Sequence, residues 1–251
     1  MIERLAMNDK YSSMEAAIHI GRYNMARQIC KGKVVLDISC GEGYGTKLLK
    51  KWGAKKVIGV DISEETIENA KKIFYEKNID FIVHDAVDLN CFKDNIFDLV
   101  VSFETIEHLQ KPLEFLKEIK RVAKKSAKFI ITCPNDYAYY PEENQFNPYH
   151  IKKYTFEEFK EMISDTFENK NIKYMIGTKT EGFINIFLDG NEKLKYQKDM
   201  INNYDLIKSM KVNPEHKIDD KNCSYFIALI NIKEIDESAV IFPTSIFPFM
   251  D

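Results

Sequence analysis

Apolar positions recur at helical spacing through residues 11 to 30. Met14, Ile18, Gly21, Met25 and Ile29 fall on one stripe, which predicts an amphipathic helix within an N-terminal helical cap over 1–30. The rhythm then changes. Short β-branched runs alternate with helical patterns: "KVVLDIS", the helix "GTKLLKKWG", "KVIGVDIS", the helix "EETIENAKKIFYEK" and "DFIVHDA". It continues through "FDLVVSF", the helix "PLEFLKEIKRVAKK" with Pro112 in its first turn, and the strand "KFIITC". Strands alternating with helices of this length predict an α/β fold, a parallel sheet with right-handed crossovers and helices on both faces. Ligands of such sheets bind at the carboxyl ends of the strands, near the point where strand order reverses.

Beyond Cys133 the pattern loosens. "PNDYAYYPEENQFNPYH" reads as a loop, and a helix is expected from about Thr155 with Phe156, Phe159, Ile163 and Phe167 on one face. "NIKYMIG" and "CSYFIALINIK" are the last strand candidates. The polar, Lys- and Asn-rich stretch 178–222 between them is expected to be an insertion over the substrate side of one domain spanning 1–251. The tail "AVIFPTSIFPFMD" is apolar but broken by Pro243 and Pro248, which predicts packing on the body or on a second copy in a homodimer.

Composition narrows the class of protein. The apolar and charged fractions describe a globular chain, and no stretch approaches the roughly 18 apolar residues of a membrane span. The N-terminus lacks the basic-then-apolar order of an export signal. Five cysteines, with no CxxC spacing, predict reduced thiols and a cytoplasmic location. A formal net charge of −3 offers no global attraction to nucleic acid.

The candidate chemistry starts at "VLDISCGEGYGTKLL", where Gly41, Gly43 and Gly45 separate a strand from a helix. Glycines permit a tight turn and close approach of a ligand, and the following helix offers unpaired N–H groups. A dinucleotide fingerprint needs a third glycine where Thr46 stands. Asp61, ending the next strand, suits both hydroxyls of a ribose in NAD and other adenosine ligands alike. Asp37 before the turn disfavours a pyrophosphate and favours a cationic amino-acid group. Asp85, with the Ala86 N–H, is placed to read an adenine edge.

These motifs, together with "FDLVVSFETIEHL", resemble the class I S-adenosylmethionine-dependent methyltransferases over about residues 15 to 170. The resemblance implies a Rossmann-like, mostly parallel seven-stranded sheet with an antiparallel last strand, and S-adenosylmethionine as cofactor. It places Asp37 and the Gly41, Gly43, Gly45 turn beside the methionine portion, Asp61 on the ribose, Ile62 on adenine, and Asp85 and Ala86 at the adenine edge. Ser102, at the end of the fourth strand, joins this set; on the N-terminal helix, Arg22 is a candidate partner of the cofactor carboxylate, and Tyr23 or His19 could close the pocket.

For the transfer itself, His108 is the candidate general base for an acceptor hydroxyl, with Glu107 beside it. The alternative is a metal held by Glu104, Glu107 and His108 at i, i+3 and i+4 of a helix, with His150 as a fourth ligand. "HIGRYNMA", "VVSFETIEHL" and "NPYHIKKYTFEEF" look most like O-methyltransferases acting on sugars or related small polar acceptors in bacterial surface-polysaccharide pathways, capsule or O-antigen. The alternatives are a metal-dependent 2'-O-methylase of RNA 3'-terminal ribose, a quinone-type O-methylase and a non-catalytic cofactor-binding module.

Overall fold

The computed structural model describes residues 13–168, 170–177, 219–233 and 235. Its centre is a seven-stranded sheet: β1 (Val34–Ile38), β2 (Lys56–Asp61), β3 (Ile79–Val83), β4 (Phe97–Ser102), β5 (Ala123–Pro134), β6 (Ile172–Gly177) and β7 (Tyr225–Ile230). The spatial order is β3-β2-β1-β4-β5-β7-β6. β1 through β5 pair in parallel, and β7 runs antiparallel to both β5 and β6. The expected sheet and its antiparallel last strand are therefore present. Strand order reverses at β1, between β2 and β4, so the carboxyl ends of these strands frame the crevice.

Helices α1 (Ser13–Arg27), α2 (Tyr44–Lys51), α3 (Glu64–Ile73), α4 (Pro112–Val122), α5 (Asp136–Tyr139) and α6 (Phe156–Thr166) surround the sheet. Successive strand residues point to opposite faces. Val35, Leu99 and Val101 accordingly join the core that buries Ile20, Leu48 and Ile67 from α1, α2 and α3. Leu36, Val100 and Phe129 join the other core, with Phe115 and Ile119 of α4 and Phe159 and Ile163 of α6. Local signals fix several helix starts. Ser63 caps α3 by accepting from Thr66 N, Pro112 opens α4, and Thr155 and Glu158 form a reciprocal capping box on α6.

One boundary differs from expectation. α4 ends at Val122, and residues from Ala123 onward, including Lys124 and Lys125, extend β5 instead of the helix. Pairing decides this: Ala123 sits opposite Phe97 on β4, a register shift follows before Leu99, and Lys124 Nζ reaches Asp98 Oδ1 at 2.7 Å. Backbone pairing and an ion pair outweigh the helical propensity of the lysines. Of the expected insertion, 178–218 lie outside the described residues, as do 1–12 of the cap and 236–251 of the tail. None of the five cysteines is in a disulfide. No helix among the described residues is long and apolar enough to cross a membrane.

Candidate active site

The turn between β1 and α2 carries the site's floor. Gly43 N-caps α2 with φ +82, and Gly45 lies where an added Cβ would stand 1.8 Å from Cζ of Tyr23. Tyr23 is buried between Tyr44 and Phe103, at centroid distances of 5.7 and 4.7 Å, and its hydroxyl donates to Asp37 Oδ1 at 3.0 Å. Because the ring cannot swing aside, Gly45→Ala is expected to cost about 3 kcal/mol, an overpacking penalty. Urea unfolding checks this, and Tyr23→Ala in the same chain should return part of the loss. Independent, additive effects of the two substitutions would contradict the packing account.

Asp37 is 1% exposed. Its second oxygen accepts from Thr46 Oγ1 at 2.6 Å, so the residue that replaces the third dinucleotide glycine serves as a donor to the buried acid. Burial pushes the Asp37 carboxyl from its ordinary value near 3.8 up to about 7; hydrogen bonds from Thr46 and Tyr23 oppose that shift and the Asp61 charge adds to it. The folded protein thus holds a proton here that the unfolded chain has lost between these values. Stability from this group is complete below about 3.8 and disappears as pH rises through about 7. The urea midpoint should accordingly fall between pH 5 and 8, and Asp37→Asn should flatten that fall; an equal slope in both proteins would contradict the assignment.

Above this floor lies a cleft of roughly 920 Å³ along the carboxyl ends of the strands, walled by α1 and by the loop after α5. On the β2 and β3 side it is lined by Gly41, Asp61, Ile62, Asp85 and Ala86. Gly41 has φ +53, and the space its Cβ would fill is open. Its N–H donates to Asp61 Oδ2 at 3.0 Å, and Ser63 N donates to Asp61 Oδ1 at 3.0 Å, which fixes the carboxylate at the strand end. Asp85 accepts from Val87 N at 3.0 Å. Ile62, an apolar side chain 66% exposed, stands ready to cover a flat ring.

Tyr23, Asp37, Gly43, Gly45 and Ser102 lie beneath the cleft and not among its lining. The Ser102 hydroxyl is buried without a hydrogen-bond partner among the described residues. Arg22 does line the cleft, but its Nη2 donates to Glu104 Oε2 at 2.6 Å and its guanidinium stacks 4.5 Å from the Tyr225 ring centroid. His19 Nδ1 meets the Tyr44 hydroxyl at 2.7 Å, and burial with the Arg22 charge lowers its pKa to about 3, leaving a neutral ring.

The β4 and β5 side corrects the expected ligand helix. Only Ile106–His108 form a short 3₁₀ turn, and Glu104 precedes it with φ +52, a left-handed conformation outside any right-handed helix. Its carboxylate turns to Arg22 and to Thr132, whose hydroxyl donates at 2.7 Å, so Glu104 leaves the group of candidate ligands. Glu107, His108 and His150 do converge, with one donor atom from each inside a mutual spread of 4.8 Å. Glu107 is 1% exposed, and neither carboxyl oxygen has a hydrogen-bond partner among the described residues. Burial, reinforced by the Glu104 charge, raises its pKa well above the carboxylate range.

Both imidazoles are held from behind. His108 Nδ1–H donates to the Tyr149 carbonyl at 2.9 Å, which leaves Nε2 as the lone-pair atom, 3.7 Å from Glu107 Oε1. His150 Nδ1–H donates to Asp136 Oδ2 at 2.5 Å in a buried pair, and Asn147 Nδ2 donates to its Nε2 at 3.1 Å. The two rings meet edge to face with centroids 4.8 Å apart. Asp136 is the site residue that sequence reasoning missed. Its one signal is an acid two residues past a strand end.

Residues 36–131 match the family model described as a methyltransferase domain. A Mycolicibacterium smegmatis protein described as a probable S-adenosylmethionine-dependent methyltransferase is 30% identical over 142 residues, covering 56% of this chain and 54% of that protein. A crystal structure of an Archaeoglobus fulgidus S-adenosylmethionine-dependent methyltransferase superposes with TM-score 0.58 at 23% identity, over 87% of this chain and 94% of that one. The plantazolicin methyltransferase, solved with S-adenosylhomocysteine, does so with TM-score 0.54 at 15% identity, over 87% and 83%.

Over residues 36–131 the chain is thus similar to methyltransferase domains, and its seven-stranded sheet shares the Rossmann-like fold of the solved methyltransferases. The open space over Gly41 and the exposed Ile62 beside Asp61 suit the chemistry of a nucleoside: room at the backbone, an apolar cover and a carboxylate for hydroxyls. The chain spans about half the length of the curated relatives it matches.

Proposed function

We propose that the chain transfers the methyl group of S-adenosylmethionine to a hydroxyl oxygen of a sugar or related small polar acceptor, in the building of bacterial surface polysaccharide. The observation that carries this reading is the cluster of Glu107, His108 and His150, on the far side of β1 from Asp61 and Ile62. Asp61 takes the ribose hydroxyls, Ile62 covers adenine, and Asp85 and Ala86 read its edge. The Gly41 backbone faces the amino-acid portion, with the Asp37 carboxyl beneath it in the floor, and Arg22 meets its carboxylate while shared with Glu104.

When bound, S-adenosylmethionine supplies an electrophilic methyl group on a sulfonium. Activation of the acceptor falls to the cluster. Because the Tyr149 carbonyl holds Nδ1–H, the Nε2 lone pair of His108 is the atom at which a hydroxyl is polarised and gives up its proton. Tyr139, Tyr149 and Asn147 line the same end, offering ring faces and an amide to a hydroxylated ring. Much of the remaining rate comes from alignment of the acceptor oxygen with the methyl group.

The test is a panel of acceptors incubated with S-adenosylmethionine: free sugars, nucleotide sugars, phenols and RNA with a 3'-terminal ribose. Formation of S-adenosylhomocysteine with sugar-type acceptors is expected. Turnover confined to RNA or to phenols would overturn the carbohydrate reading.

A further inference from the structure

The convergence of Glu107, His108 and His150 has a property that acid–base chemistry alone does not require. Each imidazole carries its proton on Nδ1, pinned to an oxygen that only accepts: the Tyr149 carbonyl for His108 and the Asp136 carboxylate for His150. Oriented in this way, both rings present Nε2 as the lone-pair atom, the arrangement that outer partners impose on metal-binding histidines. Between two elements of the chain, this has been done twice.

The third donor is the buried Glu107 carboxyl, whose oxygens have no hydrogen-bond partner among the described residues. A buried acid left in this state is costly, and a bound ion is one of the few explanations that removes the cost. All three residues line the cleft, so further coordination positions open toward the acceptor. Donors at about 2.1 Å from one ion lie at most about 4.2 Å apart, so the present spread of 4.8 Å must contract by at least about 0.6 Å. The Asn147 amide on His150 Nε2 gives way in the same movement.

We propose that Glu107, His108 and His150 bind a divalent first-row transition cation, with Asp136 as the positioning residue for His150 and with open positions facing the acceptor. Two imidazoles and one carboxylate favour Fe, Co or Zn over the oxygen-seeking Mg and Ca. Only the catalytic consequence rests on the methyl-transfer reading. There, with its Nε2 engaged by the cation, His108 no longer takes the proton itself: the acceptor hydroxyl coordinates the cation, which lowers the hydroxyl pKa, and its proton passes to solvent. The oxygen then forms a C–O bond to the methyl carbon as the C–S bond breaks, its electron pair going to sulfur; the cation is unchanged.

The experiment uses the full chain stripped with a chelator and titrated with Co²⁺, read by visible absorption and calorimetry. One equivalent is expected, competed by Zn²⁺, and X-ray absorption of the wild-type cobalt protein should count two imidazoles. Glu107→Gln and His150→Ala should each weaken Co²⁺ binding by more than a hundredfold, and Asp136→Asn by about ten- to a hundredfold with all three ligands retained. S-adenosylhomocysteine affinity, measured on every sample, should stay unchanged. No stoichiometric Co²⁺, no imidazole in the wild-type spectrum, or Co²⁺ affinity indifferent to these substitutions would overturn the cation site. Full turnover by the stripped protein would overturn its catalytic role and leave methyl transfer standing, whereas Co²⁺ binding without any binding of S-adenosylhomocysteine would do the reverse.

Discussion

Asp61→Ala is expected to weaken S-adenosylhomocysteine binding by at least about a hundredfold, or roughly 2.7 kcal/mol or more. Two losses add. Hydrogen bonds from neutral donors to a charged partner contribute about 1.5–3 kcal/mol each, and the ribose offers two hydroxyls to this carboxylate. The same carboxylate holds the Gly41 and Ser63 N–H groups, so its removal also releases the turn against which the ligand lies. Asp61→Asn keeps one acceptor oxygen and should fall between wild type and alanine. Calorimetric titration checks the order. Equal affinities in all three proteins would mean that the ribose lies elsewhere.

His108→Ala should lower kcat by about a hundred- to a thousandfold while S-adenosylhomocysteine affinity stays within a factor of two. Loss of a group that activates the nucleophile has this size, whether it acts on the proton directly or through an ion. The cofactor contacts proposed for Asp61, Ile62 and Asp85 lie across β1 from His108, which is why affinity and rate should separate. Single-turnover measurement at saturating cofactor reads the chemical step. A mutant with normal kcat and raised KM would assign His108 to acceptor binding alone.

The sequence and the structure agree where information is local and periodic. The alternation of β-branched runs with helical stripes gives the parallel strands, and acids following apolar runs give Asp61 and Asp85 at strand ends. Disagreement appears where long-range contacts decide. Glu104 has the spacing of a helix but takes a left-handed φ because Arg22, 82 residues away, and Thr132 claim its carboxylate. Asp136 acquires its role from His150 across a loop with no periodicity. Tyr23 reads as a pocket wall, yet the missing side chain of Gly45 draws its ring beneath the turn. Lys124 and Lys125 favour helix in isolation and become strand by pairing.

The atom that receives the methyl group separates O-methylation from N-methylation. S-adenosylmethionine carrying a ¹³C-methyl group, incubated with the chain and an acceptor sugar, yields a product whose methyl carbon resonance distinguishes an ether from an amine. A ¹³C-methyl ether on the sugar, formed with one equivalent of S-adenosylhomocysteine, is the predicted result. Methylation of nitrogen alone when amine-bearing acceptors are supplied, with every hydroxyl untouched, would contradict it.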